Sequence, residues 1–162
     1  MNALILFTGQ APPCSLQDLK KAFGNHTYLQ AQCLDVPAPL LRRKLADIEW
    51  IIESPPLMVL AWIDECEFAM LAKLESGLRL AARDGASFVA LFPSRPTGHA
   101  QAVTELEEQI LQKCANSFLV HCADPSNQEF LQSLIMLTGT GLTGRYAWTE
   151  NGLSYLDRRL AI

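Results

Sequence analysis

The chain has 162 residues, 49% of them hydrophobic and 19% charged, a balance that fits one packed domain and excludes a disordered chain. Its formal net charge of −4 leaves it without the basic surface that a general nucleic-acid or anionic-membrane binder needs. Five cysteines (Cys14, Cys33, Cys66, Cys114 and Cys122) contain no CxxC pair, which argues against a disulfide framework or a zinc cluster and fits reduced thiols in a cytoplasmic protein.

In chain order, residues 3–8 (ALILFT) form an apolar run ended by Gly9, the pattern of a strand buried on both faces. After the loop 9–14, Ser15 reads as a helix N-cap with Asp18 three residues on, and the helix is expected to stop at Gly24-Asn25. Residues 28–34 (YLQAQCL) alternate apolar and polar, which suits a strand near a sheet edge. Pro37 and Pro39 precede a second helix, in which Leu40, Leu41, Leu45, Ile48, Ile51 and Ile52 recur at helical spacing until Ser54-Pro55-Pro56.

Residues 56–92 carry the strongest pattern. An apolar run (PLMVLAWID), an amphipathic run (65–85) and a second apolar run (ASFVALF) make a strand–helix–strand unit, which forces parallel pairing. A helix over about 99–114 follows, with Val103, Leu106, Ile110 and Leu111 on one face, then a strand at 117–122 (SFLVHC). Asp124-Pro125-Ser126 reads as the opening of a helix running to about Leu137. The tail TGRYAWT, Glu150-Asn151-Gly152 and LSYL reads as a hairpin with Asn-Gly as its turn signal, a short helix in place of the second strand being the rival.

The expectation is a single α/β domain over 1–162, Rossmann-like or flavodoxin-like in three layers, with about five parallel strands and a C-terminal β-hairpin. Strand order is not legible at this level. The apolar stretch 48–63 is broken by Glu49, Glu53 and Pro55-Pro56, so no bilayer-spanning segment is expected. No Lys or Arg precedes the run 3–7, which makes it a poor secretory signal and supports a cytoplasmic location.

Ligands of such sheets bind outside the carboxyl ends of the strands. The polar residues expected there are Thr8, Gln10, Asp35, Asp64, Glu65, Glu67, Ser94, Arg95, Thr97, His99, Asp124, Ser126 and Asn127. Gly9 and Gln10 follow the first strand. Ser94, Arg95, Thr97 and His99 lie at a helix start, where backbone N–H groups and one guanidinium suit a phosphate or carboxylate. A capped helix start with a solvated arginine is the plainer alternative. The run Arg42-Arg43-Lys44 reads as a solvated helix face, with a phosphate site as the alternative.

His26, His99 and His121 are not at metal-ligand spacing, and neither a metal nor a cofactor is expected. His121 falls in a buried strand and reads as a core histidine. Cys14 precedes a helix N-terminus, where a thiol pKa can fall, yet has no identifiable histidine partner. The glycines at 139, 141 and 144 match GxGxxG, but a helix precedes them and a hairpin follows, the reverse of the dinucleotide fingerprint. TGRYAWTENGLSYL resembles the wing of winged-helix domains; the helix-turn-helix such a wing needs is missing, and nucleic-acid binding is not expected.

Trp62–Asp64 (WID), Glu75–Gly77 (ESG), Ala81–Gly85 (AARDG) and the strand FVALF together resemble the nucleoside 2-deoxyribosyltransferase-like superfamily, as does the opening ALILFTG. The resemblance implies that Glu75 attacks or stabilises an anomeric carbon, that Asp64 orients the base or sugar, and that the substrate is a nucleoside or nucleotide. A carboxylate suits a developing oxocarbenium centre. The residues themselves leave a second reading open. A glycine inside a helix costs about 1 kcal/mol relative to alanine, so Gly77 needs a reason, and close packing of helix on sheet supplies one without a catalytic Glu75.

Two functions follow as expectations. One is a nucleotide-like ligand site that cleaves or transfers an N-glycosidic bond, with Arg95 and Thr97 as anion contacts. The other is a non-catalytic interaction module acting through a protein partner or a homodimer surface at Tyr146, Trp148 and Tyr155, aromatics that equally suit a cover for the sheet edge.

Overall fold

Strand β1 (Asn2–Phe7) is buried along its whole length, as a strand with helices on both sides must be. The protein is described by a computed structural model over residues 2–9, 12, 14–49, 57–63, 70–92 and 100–157, with backbone alone at 57, 100–104, 140 and 157. After β1 come α1 (Leu16–Phe23), β2 (Tyr28–Cys33), α2 (Ala38–Ala46), β3 (Leu57–Trp62), α3 (Met70–Asp84) and β4 (Ser87–Phe92). Then follow α4 (Ala100–Lys113), β5 (Ser117–His121), α5 (Gln128–Thr140), β6 (Gly144–Thr149) and β7 (Gly152–Asp157).

The strands form one sheet in the order β2-β1-β3-β4-β5-β6-β7. All pairs are parallel except β6–β7. This is a Rossmann-like α/β fold. Its first five strands take the 2-1-3-4-5 order of doubly wound sheets, which reverses direction between β1 and β3. The C-terminal hairpin is part of the sheet, because its first strand lies parallel beside β5.

The period-2 pleat sorts the core into two layers. Leu4, Leu6, Val59, Phe88, Ala90 and Leu119 pack with Leu41 and Leu45 of α2, Leu74 and Leu78 of α3, and Ile110 of α4. Ala3, Ile5, Leu60, Val89, Phe118 and Val120 pack on the other face with Leu19 of α1 and Phe130, Leu131 and Leu134 of α5. Gly77 lies where α3 crosses the sheet. A Cβ there would stand 2.5 Å from Leu6 Cδ1 and 3.7 Å from Phe88 Cε2, so this glycine permits the close approach.

Several boundaries differ from the sequence pattern. Helix α2 ends at Ala46, short of Ile52: Asp47 caps it, the Ile48 amide turns back to Leu45 O at 3.4 Å, and Arg83 reaches the carbonyls of Ala46 and Ile48 at 3.4 and 3.5 Å; residues 50–56 lie outside the described residues. Helix α5 starts later than the DPS motif. Its N-cap is Asn127, which accepts from the Phe130 amide, while Asp124 is engaged in a local turn with the amide and hydroxyl of Ser126. The helix passes Leu137 to Thr140, so Gly139 is helical, Gly141 caps and Gly144 opens β6, an arrangement with no glycine cradle. The Ser15 cap is as expected, accepting from the Asp18 amide at 3.1 Å.

The hairpin turn centres on Glu150-Asn151, with Thr149 opposite Gly152. Gly152 alone carries the positive φ, at 99°, so the glycine serves the residue after the turn rather than a two-residue Asn-Gly turn. Among the described residues, no helix is long and apolar enough to cross a membrane.

Candidate functional site

The strand order reverses between β1 and β3, the point at which doubly wound sheets hold ligands in a crevice outside the carboxyl ends of their strands. The first residues past β1 and β2 are tied together there. The Leu34 amide donates to Phe7 O at 2.7 Å, which carries the ladder one step beyond β2 and places Asp35 beside the β1 turn. Gly9 has φ +84°, a conformation that favours glycine, and its amide donates to Asp35 Oδ2 at 2.7 Å. Cys33 Sγ donates to Gly9 O at 3.4 Å and accepts from the Asp35 amide at 3.4 Å.

Lys73, in the first turn of α3, reaches the same carboxylate, with Nζ 3.1 Å from Asp35 Oδ1. The Gly9 amide, and after it the Lys73 ammonium, hold the Asp35 carboxyl below its ordinary 3.8. The result is a partly exposed carboxylate with both oxygens engaged, beside a glycine turn and an ammonium with three donors. A hydroxyl-bearing ligand meets an acceptor here, and an anionic one meets a cation.

Of the ligand-binding residues read from the sequence, Gly9 stands in this crevice. Gln10, Asp64, Ser94, Arg95, Thr97 and His99 lie outside the described residues. Glu75 lies five residues beyond Met70, about 7.5 Å along the helix axis. Its side chain is 42% exposed and accepts from Arg79 Nη2 at 3.0 Å, an i,i+4 pair along the outer part of α3. The Asp35 network and the Glu75–Arg79 pair share no hydrogen bond.

Cys14 is buried. Burial, with the Asp18 carboxylate adding to it, pushes its thiol up to about 11, the opposite of what a helix N-terminus would do. Burial likewise raises Cys122 to about 11. Neither is a ready nucleophile at neutral pH. Tyr146 is buried and donates to Leu142 O at 2.5 Å, Trp148 packs edge-on against Phe130, and Tyr155 is exposed with its ring 5.3 Å from that of Tyr146. Tyr146 and Trp148 therefore cover the β5–β7 end of the core, and Tyr155, opposite Tyr146 on β7, packs on it from the same face while staying half exposed. Among the described residues no group of three His, Cys, Asp or Glu could hold a metal ion.

His121 does sit in the core, stacked on Phe92 with ring centroids 5.1 Å apart. It belongs to a buried polar cluster that the sequence pattern did not single out. Arg145 Nε donates to Glu107 Oε2 at 2.5 Å, and His121 Nε2 lies 3.5 Å from the same oxygen, at the outer limit of a hydrogen bond. Burial pushes Glu107 up, but the nearby His121 ring and the Arg145 guanidinium, which alone among the described residues hydrogen-bonds it, outweigh burial and hold the carboxyl below its ordinary 4.5. One signal was available: with Val103, Ile110, Leu111 and Cys114, Glu107 lies on the apolar stripe of its helix. Lys73 carried no such signal.

No family model matches the chain, and no curated protein matches it. Among solved structures, the fold is similar to that of a dTDP-4-dehydrorhamnose reductase from Clostridium acetobutylicum, with a TM-score of 0.58 at 12% identity over 94% of this chain and 76% of that one. At that identity the likeness is one of fold.

Proposed function

We propose that this protein binds a nucleotide-like ligand in the crevice beyond the carboxyl ends of β1 and β3. The observation that carries the reading is the Asp35 carboxylate, held at the end of β2 by the Gly9 amide and Lys73. In the dinucleotide-binding members of such sheets an acidic residue at this place takes ribose hydroxyls while a glycine-rich first turn takes phosphate. The name of the structural neighbour, a reductase of a dTDP-linked sugar, supports a nucleotide-bearing ligand for this fold. Cleavage of an N-glycosidic bond is the finer proposal, drawn from the superfamily resemblance. It requires Glu75 to exchange Arg79 for the ligand, with Asp64 as orienting carboxylate.

The test is thermal unfolding across a panel of nucleosides, nucleotides and dTDP. Ligand at 100 times Kd raises stability by about 2.7 kcal/mol, and Asp35→Ala should remove the shift. Release of free base that disappears in Glu75→Gln would extend binding to cleavage.

A specific observation favours a second reading, a homodimer or partner surface. Met136, Leu142, Tyr155 and Leu156 are exposed at 73%, 69%, 45% and 46%, and all belong to the C-terminal α5–β7 segment. Concentration-dependent mass by light scattering, lost in Tyr155→Ser with Leu142→Ser, is its test.

A further inference from the structure

Helices α2 and α3 pack side by side over the sheet and leave between them a groove of about 250 Å³, lined by Arg42, Leu45, Ala46, Ser76, Arg79, Leu80 and Arg83. Every side-chain polar group in that lining is a hydrogen-bond donor or a hydroxyl, and no carboxylate is among them. The floor is apolar, since Leu45 and Leu80 are buried.

The three guanidiniums are held differently. Arg83 is fixed, with Nε and Nη2 on the Asp84 carboxylate at 2.7 and 2.9 Å and further contacts to Ala46 O and Ile48 O. The contact to Ala46 O also covers the last carbonyl of α2, at the helix end that would otherwise repel an anion. Arg79 commits Nη2 to Glu75 and keeps its remaining donors. Neither Arg42 nor the Ser76 hydroxyl has a partner among the described residues. Among the described residues, a guanidinium without a partner, a second with open donors and an unused hydroxyl thus line one groove over two leucines.

We propose that this groove is a second ligand site, separate from the carboxyl-end crevice, and that it takes a small phosphomonoester. Phosphate oxygens would lie on Arg42, Arg79 and Ser76, where bidentate guanidinium geometry matches them, and the organic part would lie on Ala46 and the aliphatic arginine stems above Leu45 and Leu80. Helix α3 starts at the carboxyl end of the sheet and reaches Arg79 and Arg83 in its last two turns, so this groove lies toward the opposite end from Gly9 and Asp35.

The experiment is a titration of the full chain with glycerol 3-phosphate, followed by backbone amide shifts at constant ionic strength. Saturable shifts at Leu45, Ala46, Ser76 and Leu80 are expected. Arg42→Gln should weaken binding by about tenfold or more, and Arg42→Gln with Arg79→Gln should abolish saturation while the thermal melt stays cooperative. Asp35→Ala should leave this site unchanged, which separates it from the crevice. Inorganic phosphate should bind the same residues more weakly; equal affinity would overturn the assignment of an organic ester. Shifts of the same size with acetate, no saturation, or an unchanged affinity in Arg42→Gln would overturn the site itself.

Discussion

Arg145 Nε and Glu107 Oε2 meet at 2.5 Å between α4 and β6, with both side chains almost wholly buried. A buried pair is weak evidence for net stability, but removing one member takes from the other its closest countercharge, at a cost of up to about 3–5 kcal/mol. Glu107→Leu should therefore lower the unfolding free energy by about that amount. Adding Arg145→Met should restore most of it, because a well-packed apolar pair is often as stable as the ion pair. Urea denaturation of the two variants checks this. A double variant no more stable than the single would show that the pair acts through contacts other than charge.

Gly77→Ala sets two effects against each other. Helix propensity favours alanine by about 1 kcal/mol. The new methyl meets Leu6 Cδ1 at 2.5 Å, and Leu6 is fully buried beside Phe88, so the leucine has little room to turn away. Overpacking of this kind costs about 1–3 kcal/mol, and the variant should be less stable than the parent. A rise in melting temperature would show that α3 can lift from the sheet at no cost.

Acid should destabilise the protein chiefly through the buried Glu107 carboxyl. Asp35 and Glu107 both have folded pKa values below their ordinary 3.8 and 4.5. Each adds stability that is fully present above its ordinary value and is lost as pH falls through its folded value. Stability measured from pH 6 downward should start to decline near pH 5. Glu107→Leu with Arg145→Met should flatten that decline. Asp35→Asn should change it little, since this carboxyl is exposed and screened by water.

Among the four cysteines with described side chains, Cys33 is half-exposed while Cys14, Cys114 and Cys122 are buried, and burial raises the pKa of all three. Iodoacetamide at pH 8 with peptide mapping should label Cys33 well before those three. Equal labelling of Cys14 would mean that the β1–α1 turn opens in solution.

The layered fold was legible because its periodicities are strong. The run ALILFT, the Glu-Ser-Gly helix and the strand SFVALF stand almost where the pattern placed them, and Gly77 has the packing role that its helical position demanded. Strand order was not legible, because β1 passes to β2 and then back past itself to β3, and parallel pairing leaves no local mark on either strand. The end of α2 was missed because no glycine or proline marks it: Asp47 caps the helix, and Arg83, 37 residues from Ala46, meets the freed carbonyl by tertiary contact. Asp35 stood among the strand-end polar residues, but its partners Gly9 and Lys73 are 26 and 38 residues away, separations at which sequence spacing carries no signal.

Amide shifts on adding dTDP to the full chain test the central claim most directly. Binding in the crevice predicts saturable changes at Gly9, Asp35 and Lys73, lost in Asp35→Ala. Saturable changes that leave Gly9 and Lys73 untouched, or none at millimolar nucleotide, would contradict it.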